Sequence, residues 1–380
     1  MRRLLLLLFV ILVAYLGWPY IGSSLDQSDY EATKENVKKK IDSIKEKPEY
    51  EEAMETFNDR LNNLVGYVGD KLKELPENDQ QSDSGQAEKP ELSNPTEHSF
   101  SIYNIEIGDT KQAIESEIGQ AQRSTLNEYG VKWSTYHKNY KNFIMVAYDA
   151  EDKVVGLFSN QDLITSDHSI QLETPKEAVR KELGEPLTKL RKGFVVYQLQ
   201  EDSGYDVFEV DGSYVTVFYD KHENNTVTAI QIIDKAVEQN KDRYYTDASP
   251  ELRKGFEFQL FDLTNAARVV HGLPVLSWSG NVQKTARNHS DDMAENDYFA
   301  HENQDGQSPF DRMHEDGITF MMAGENLAYG QNSSIFAHEG LMNSLGHRKN
   351  ILKDGYKYLG VGVAFNDESQ PYYTENFFAK

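Results

Sequence analysis

The hydrophobic and polar positions divide the chain into stretches of very different character. After Met1-Arg2-Arg3, an apolar run from Leu4 to Tyr20 has the length of a membrane-crossing helix. The arginines precede the run, which places the N-terminus inside and the remainder outside. A cleaved signal peptide with its apolar region at Leu4–Val13 is the rival reading and would leave a secreted protein. Tyr15, Trp18 and Tyr20 make an interfacial end with no A-x-A cleavage site, so residues 1–22 are read as an uncleaved anchor spanning through residues 4–21.

Residues 23–76 read as a helical stalk. Met54, Phe57, Leu61, Leu64, Val68 and Leu72 recur at steps of three and four, which puts one apolar stripe on a helix. An amphipathic helix packed on a neighbour and an oligomerising coiled coil both fit that stripe. Residues 77–99 carry almost no apolar side chain and read as a flexible acidic spacer.

From about residue 100 the pattern becomes that of a folded repeat. Ile105-Glu106-Ile107-Gly108-Asp109-Thr110 and the helical stretch after it parallel Ile170-Gln171-Leu172-Glu173-Thr174-Pro175 and its own helix, an offset of 65 residues from Ile105 to Ile170. Asp109 and Thr174 are expected as N-caps, Gln112 and Glu177 as their capping-box partners, and Gly119 and Gly184 as C-caps. Alternating strands follow, Phe143–Tyr148 with Lys153–Phe158 in one copy and Tyr214–Tyr219 with Thr226–Ile233 in the other. Residues 100–240 are therefore expected to form one α+β domain of two helix-plus-antiparallel-sheet units packed on each other. Trp133, Tyr136, Tyr140, Phe143, Tyr148, Tyr197, Tyr205 and Phe208 sit at strand spacing and are read as core rather than as a ligand platform.

Ser249-Pro250-Glu251 opens a further helix with Phe256, Leu260, Leu263, Ala267 and Val270 at helical spacing, and Gly272 stops it. A second helix after Ser279-Gly280 carries Val282, Ala286, His289 and Met293 on one stripe; His289 is expected as a buried, hydrogen-bonded histidine. A third follows Ser308-Pro309 and a fourth runs from Ser333 or Ser334 toward Ser344. Leu359–Phe365 and Tyr372–Phe378 form a closing hairpin about Asn366-Asp367-Glu368-Ser369, and Gly324 and Gly346 are read as turn residues.

Charge and composition narrow the function. The 380 residues suit two or three domains, and a formal charge of −23 with no basic cluster argues against nucleic acid as a partner. With 0 cysteines, disulfides, thiolate metal sites and a cysteine nucleophile are all excluded. No serine stands in a G-x-S-x-G elbow. The remaining chemistry is His301 after Tyr298-Phe299-Ala300, Glu325 in Gly324-Glu325-Asn326, and His347 in Gly346-His347-Arg348. Such separations cannot lie on one helical face, so the three meet only if the fold brings separate elements to one cleft; scattered surface histidines are the bland alternative.

The motifs in this region occur in a familiar order. They are Leu263-Thr264-Asn265-Ala266-Ala267-Arg268, Leu276-Ser277-Trp278, Tyr298-Phe299-Ala300-His301, Ser308-Pro309-Phe310-Asp311-Arg312, Gly324-Glu325-Asn326-Leu327, Asn343-Ser344-Leu345-Gly346-His347-Arg348-Lys349-Asn350-Ile351-Leu352 and Tyr373-Thr374-Glu375-Asn376. Residues 249–380 resemble a bacterial CAP domain, of the superfamily of cysteine-rich secretory proteins, venom antigens and pathogenesis-related proteins. Residues 100–240 resemble the CAP-associated N-terminal domain that precedes it in some membrane-anchored bacterial proteins.

The resemblance implies an α-β-α sandwich with a cleft of two histidines and two acids, where some members bind a divalent metal, often zinc. His301 and His347 are the implied histidines and candidate metal ligands, and Glu325 is the first acid and candidate catalytic residue. The second acid is open: Leu341 replaces the usual tryptophan and Ser344 stands at the acid position, so Glu339, one turn earlier, is a substitute. Two functions follow: a binding module for a cell-envelope component or protein partner, or a zinc-assisted hydrolase or peptidase with Glu325 as general base. The incomplete ligand set favours the binding module, and the expected location is the cell membrane, single-pass, with the domains outside.

Overall fold

The computed structural model describes residues 89–192, 195–199, 204–241 and 243–380. The expected anchor (1–22), the stalk (23–76) and the first part of the spacer (77–88) lie outside the described residues. Among the described residues no helix is long and apolar enough to cross a membrane.

The first repeat comprises β1 (Phe100–Ile102), α1 (Lys111–Ile118), β2 (Arg123–Leu126), β3 (Lys132–Lys138), β4 (Lys141–Tyr148), β5 (Val154–Ser159) and β6 (Ile164–Ser166). The second comprises α2 (Lys176–Leu183), β7 (Lys189–Lys192), β8 (Val195–Gln198), β9 (Tyr205–Val210), β10 (Ser213–Asp220) and β11 (Thr226–Asp234), followed by α3 (Lys235–Asn240). The repeats share one antiparallel seven-stranded sheet in the order β2-β3-β4-β5-β11-β10-β9. Its seam is the β5·β11 ladder, with Leu157 opposite Ile232, so each unit's open edge is closed by the other.

The repeat is also legible in hydrogen bonds. The Asp109 carboxylate accepts the Glu106 N–H at 2.8 Å, and at the matching place the Thr174 hydroxyl accepts the Gln171 N–H at 3.0 Å. Both side chains thus turn back on the preceding turn, and the N-caps fall one residue later than expected. Thr110 caps α1 by accepting from the Ala113 N–H, while α2 begins from Pro175 with no side-chain cap. Gly119 (φ 86°) and Gly184 (φ 83°) close the two helices, as expected of C-caps. The last residues of the spacer are tied to this domain: Glu106 accepts the backbone N–H groups of Thr96, Glu97 and His98 at 2.7, 2.9 and 2.7 Å. Burial pushes the Glu106 carboxyl up, but these donors outweigh it and hold the group below the usual range.

Alternation along the strands gives the sheet two apolar faces. Ile144, Val146, Leu157, Val217 and Ile230 face a core closed by Ile114 of α1 and Val179 of α2. Trp133, Phe143, Met145, Phe158, Phe218 and Ala229 face the other way and pack on Leu263, Ala266 and Ile335 of the C-terminal domain. The aromatics Trp133, Tyr136, Phe143, Tyr148 and Phe208 are buried core residues, as their spacing predicts, whereas Tyr140, Tyr197 and Tyr205 are only half-buried, and the last two line a cavity instead of filling the core.

The C-terminal domain comprises α4 (Pro250–Val270), β12 (Ser277–Trp278), α5 (Gly280–Glu295), α6 (Pro309–Glu315), β13 (Met322–Tyr329), α7 (Ser334–Asn343), α8 (Leu345–Ile351), β14 (Tyr358–Phe365) and β15 (Pro371–Ala379). Its four strands run β12-β14-β15-β13. Leu359, Val361, Val363, Tyr373 and Phe377 point to one face, toward Leu252, Phe256 and Leu260 of α4. The other face takes α5, whose backbone comes so close that a Cβ on Gly360 or Gly362 would lie 2.2 Å from the Gln283 nitrogen or 2.0 Å from the Arg287 nitrogen. Helix, sheet and helix are thus stacked as the expected sandwich, within an α+β chain.

Two glycines depart from their expected role as turn residues. Gly324 is inside β13, where a Cβ would lie 2.3 Å from the Tyr356 hydroxyl, and Gly346 is inside α8. The strand around Gly324 is short of β-branched residues and is imposed by its partner β15 rather than by local preference.

Candidate functional site

Three elements carry the expected cleft residues, of which His301 and Glu325 are in direct contact. His301 follows α5 on the loop that Asp297 opens with a positive φ of 51°. That loop is fastened from beneath, because His289, 1 % exposed on α5, bonds the Ala300 carbonyl at 2.9 Å through Nε2, as expected of a buried histidine. Burial lowers the His289 pKa and keeps the ring neutral. Glu325 projects from β13 and is buried. Its Oε1 meets His301 Nδ1 at 2.9 Å and its Oε2 accepts from the Arg312 guanidinium at 2.8 Å.

Arg312 is the residue that sequence reasoning passed over. It lies on α6, which begins with a full capping box between Ser308 and Asp311 and has Pro309 in its first turn. From there its guanidinium also donates to the carbonyls of His301 and Gln307 at 2.8 and 2.9 Å. One buried cation therefore holds the Glu325 side chain and the His301 backbone in the same frame. The available signal was the helix start at Ser308-Pro309, which places Arg312 one turn in.

His347 stands on α8, and its Nδ1 meets the Ser344 hydroxyl at 2.8 Å. The serine at the expected second-acid position thus orients the second histidine. Burial, and then the proximity of His301, lower the His347 pKa. An amide network registers α8 against β13: Asn350 donates to the Glu325 carbonyl at 3.2 Å and to Asn326 Oδ1 at 3.0 Å, while Asn326 donates to the His347 carbonyl at 3.2 Å. Behind it, Asn326 and Thr264 donate to the wholly buried Glu375 at 3.1 and 2.7 Å, and burial pushes that carboxyl up to about 7. Asn265 and Arg268 are structural, as expected: Asn265 bonds Leu276 in both directions, and Arg268 donates to the carbonyls of Pro274, Ile351 and Lys353.

Glu339 is placed elsewhere. It is buried on α7, lines a cavity walled by Tyr244, Tyr245 and Tyr329, and among the described residues no hydrogen bond or ion pair joins it to either histidine. The charges that act on its carboxyl are Asp220 and Arg348.

The donor set bears on zinc. Each histidine has Nδ1 engaged and, among the described residues, no hydrogen bond at Nε2, the arrangement in which an outer partner orients a metal-binding imidazole. Both Glu325 oxygens are hydrogen-bonded, one to each of His301 and Arg312, and among the described residues no group of three His, Cys, Asp or Glu side chains could hold a metal. The residues do not fit a three-ligand catalytic site.

Comparison with known proteins matches both domains to families. Residues 107–244 match the CAP-associated N-terminal family and residues 261–377 the cysteine-rich secretory protein family. An uncharacterized membrane protein, YlbC of Bacillus subtilis (strain 168), is 30 % identical over 293 residues, covering 72 % of this chain and 82 % of its own length. A second B. subtilis protein, YkwD, is 38 % identical over 135 residues, 36 % of this chain and 51 % of its own. The crystal structure of an extracellular SCP-domain protein from Bacillus anthracis str. Ames superposes with a TM-score of 0.63 at 26 % identity, covering 78 % of this chain and 99 % of that one. A cysteine-rich secretory protein from Staphylococcus aureus subsp. aureus Mu50 shares the fold at 17 % identity and a TM-score of 0.59, covering 76 % of this chain and 95 % of that one. With both domains matched in order, the chain belongs to the bacterial CAP superfamily, in the form that carries a CAP-associated domain ahead of the CAP domain.

Proposed function

We propose that the chain is a membrane-anchored extracytoplasmic binding module, in which the cleft of His301, Glu325 and His347 contacts a cell-envelope component or protein partner. The observation that carries this reading is the state of Glu325. A carboxylate tied on one oxygen to Arg312 and on the other to His301, with its side chain only 2 % exposed, is fixed as part of the cleft wall. The hydrolase reading needs the same carboxylate to meet a water.

The rim suits contact with a macromolecule. Phe299, two residues before His301, is 48 % exposed, and Leu345, two before His347, is 55 % exposed. Apolar side chains beside polar ring edges are the usual make-up of a recognition surface. The anchor over residues 4–21 agrees with the membrane protein named in B. subtilis, and the outside location with the extracellular protein of B. anthracis. The test is zinc content and zinc affinity of the full chain beside His301→Ala and His347→Ala. The binding-module reading expects no tight stoichiometric zinc in any of the three; tight zinc in the parent chain, lost in both variants and accompanied by peptide or ester hydrolysis, would reverse it.

A further inference from the structure

A second cavity, independent of the histidine cleft, opens where the repeat sheet meets the CAP domain. Its volume is about 470 Å³, and its walls include Tyr197, Tyr205, Tyr244, Tyr245 and Tyr329. The rings are set at angles to one another, with Tyr197 and Tyr244 centred 5.5 Å apart and Tyr244 and Tyr245 4.9 Å apart at 82°. Glu339 enters from α7, only 5 % exposed, and no hydrogen bond or ion pair reaches its carboxyl among the described residues. The charged groups that act on it, Asp220 of β10 and Arg348 of α8, are paired with each other at 2.8 Å. Gln331 also lines the cavity, and its Oε1 is buried without a hydrogen-bond partner.

The unmet groups share one chemistry. A carboxyl and an amide oxygen both accept, and tyrosine faces attract cations. Gln331 Oε1 is a buried acceptor without a donor, and Glu339 when ionised is a charge with no ion-pair partner among the described residues, so the cavity suits a ligand that brings N–H groups and positive charge. We propose that this cavity binds a primary ammonium group on an apolar stem, as in a lysine side chain, with Glu339 as its counter-ion and Gln331 Oε1 as a second acceptor. A quaternary ammonium would satisfy the rings but offers no N–H, and a neutral sugar offers donors without charge.

Proton balance supplies a signature. In the empty cavity burial pushes the Glu339 carboxyl up to about 8, with Asp220 adding to the rise and Arg348 opposing it. Burial also raises the Tyr244 and Tyr245 hydroxyls, so both stay uncharged, and it holds the neighbouring His338 ring neutral. Near pH 7 the carboxyl therefore carries a proton, and an entering ammonium displaces it to solvent.

The experiment is calorimetric titration of the full chain with Nα-acetyl-lysine methylamide in two buffers of different ionisation enthalpy, with choline and N-acetylglucosamine as comparison ligands. The expected result is release of close to one proton at pH 7, affinity rising nearly tenfold from pH 6 to pH 7 and levelling above about 8. Glu339→Gln, which keeps the shape, should cut affinity by about tenfold or more and abolish proton release; Gln331→Leu should weaken binding with release intact. Absence of binding to the parent chain, unchanged affinity in folded Glu339→Gln, or equal affinity for choline or N-acetylglucosamine would overturn the proposal. None of these outcomes depends on the histidine cleft.

Discussion

Glu325 and Arg312 are both buried, and each is the other's charge partner across 2.8 Å, with side chains 2 % and 9 % exposed. Removing one member of such a pair strands a charge in a dry site. Arg312→Leu is therefore expected to destabilise the protein by about 3–5 kcal/mol in urea unfolding and to loosen the His301 loop. A loss below about 1 kcal/mol would show that the pair does not organise the cleft. A second expectation concerns pH. Burial raises Glu128 to about 7, Glu375 to about 7 and Glu339 to about 8, so the folded state holds protons that the unfolded state has released. Stability from these groups is complete below their unfolded values and falls as pH rises through the folded ones. The midpoint of thermal unfolding should drop between about pH 7.5 and 8.5, above the range in which unfolded histidines take up protons, and Glu339→Gln should flatten that drop. A midpoint that rises over this window would contradict the assignment.

The elements show which signals were legible in the sequence and which were not. Caps and periodicity located α4, α6 and α7 and the β14–β15 hairpin within a residue or two, because Ser-Pro starts, glycine stops and strict alternation are local signals. Strand β13 was missed, since Ala323-Gly324-Glu325-Asn326 has little intrinsic strand preference and is extended only because β15 pairs along its whole length. The cleft residues were named by motif, yet Arg312 and Ser344 gained their roles only through contacts across elements. Close approach of α5 to β14 is a contact of this kind. Gly362→Ala would drive a Cβ to within 2.0 Å of the Arg287 nitrogen, and displacing that helix should cost at least about 2 kcal/mol in chemical denaturation. Parent-like stability in Gly362→Ala would mean that α5 has slack not evident from its packing.

At the scale of the whole described structure, the repeat domain is more than a spacer. One face of its seven-stranded sheet is closed by the CAP domain through Leu263, Ala266 and Ile335, which makes the two domains parts of one packed body. They should unfold in a single transition, and Leu263→Ala, at 0 % exposure, should lower stability by about 2–5 kcal/mol without splitting it. Two separable transitions in the parent chain would show that the interface is weak. The central claim is that the histidine cleft binds rather than hydrolyses. It is tested most directly by incubating the detergent-solubilised full chain, and a folded His301→Ala/His347→Ala variant, with purified cell-envelope preparations while measuring both bound protein and released soluble fragments. The account predicts saturable binding by the parent chain, about tenfold weaker in the variant, with no fragments released by either. Fragments released by the parent chain and not by the variant would contradict it.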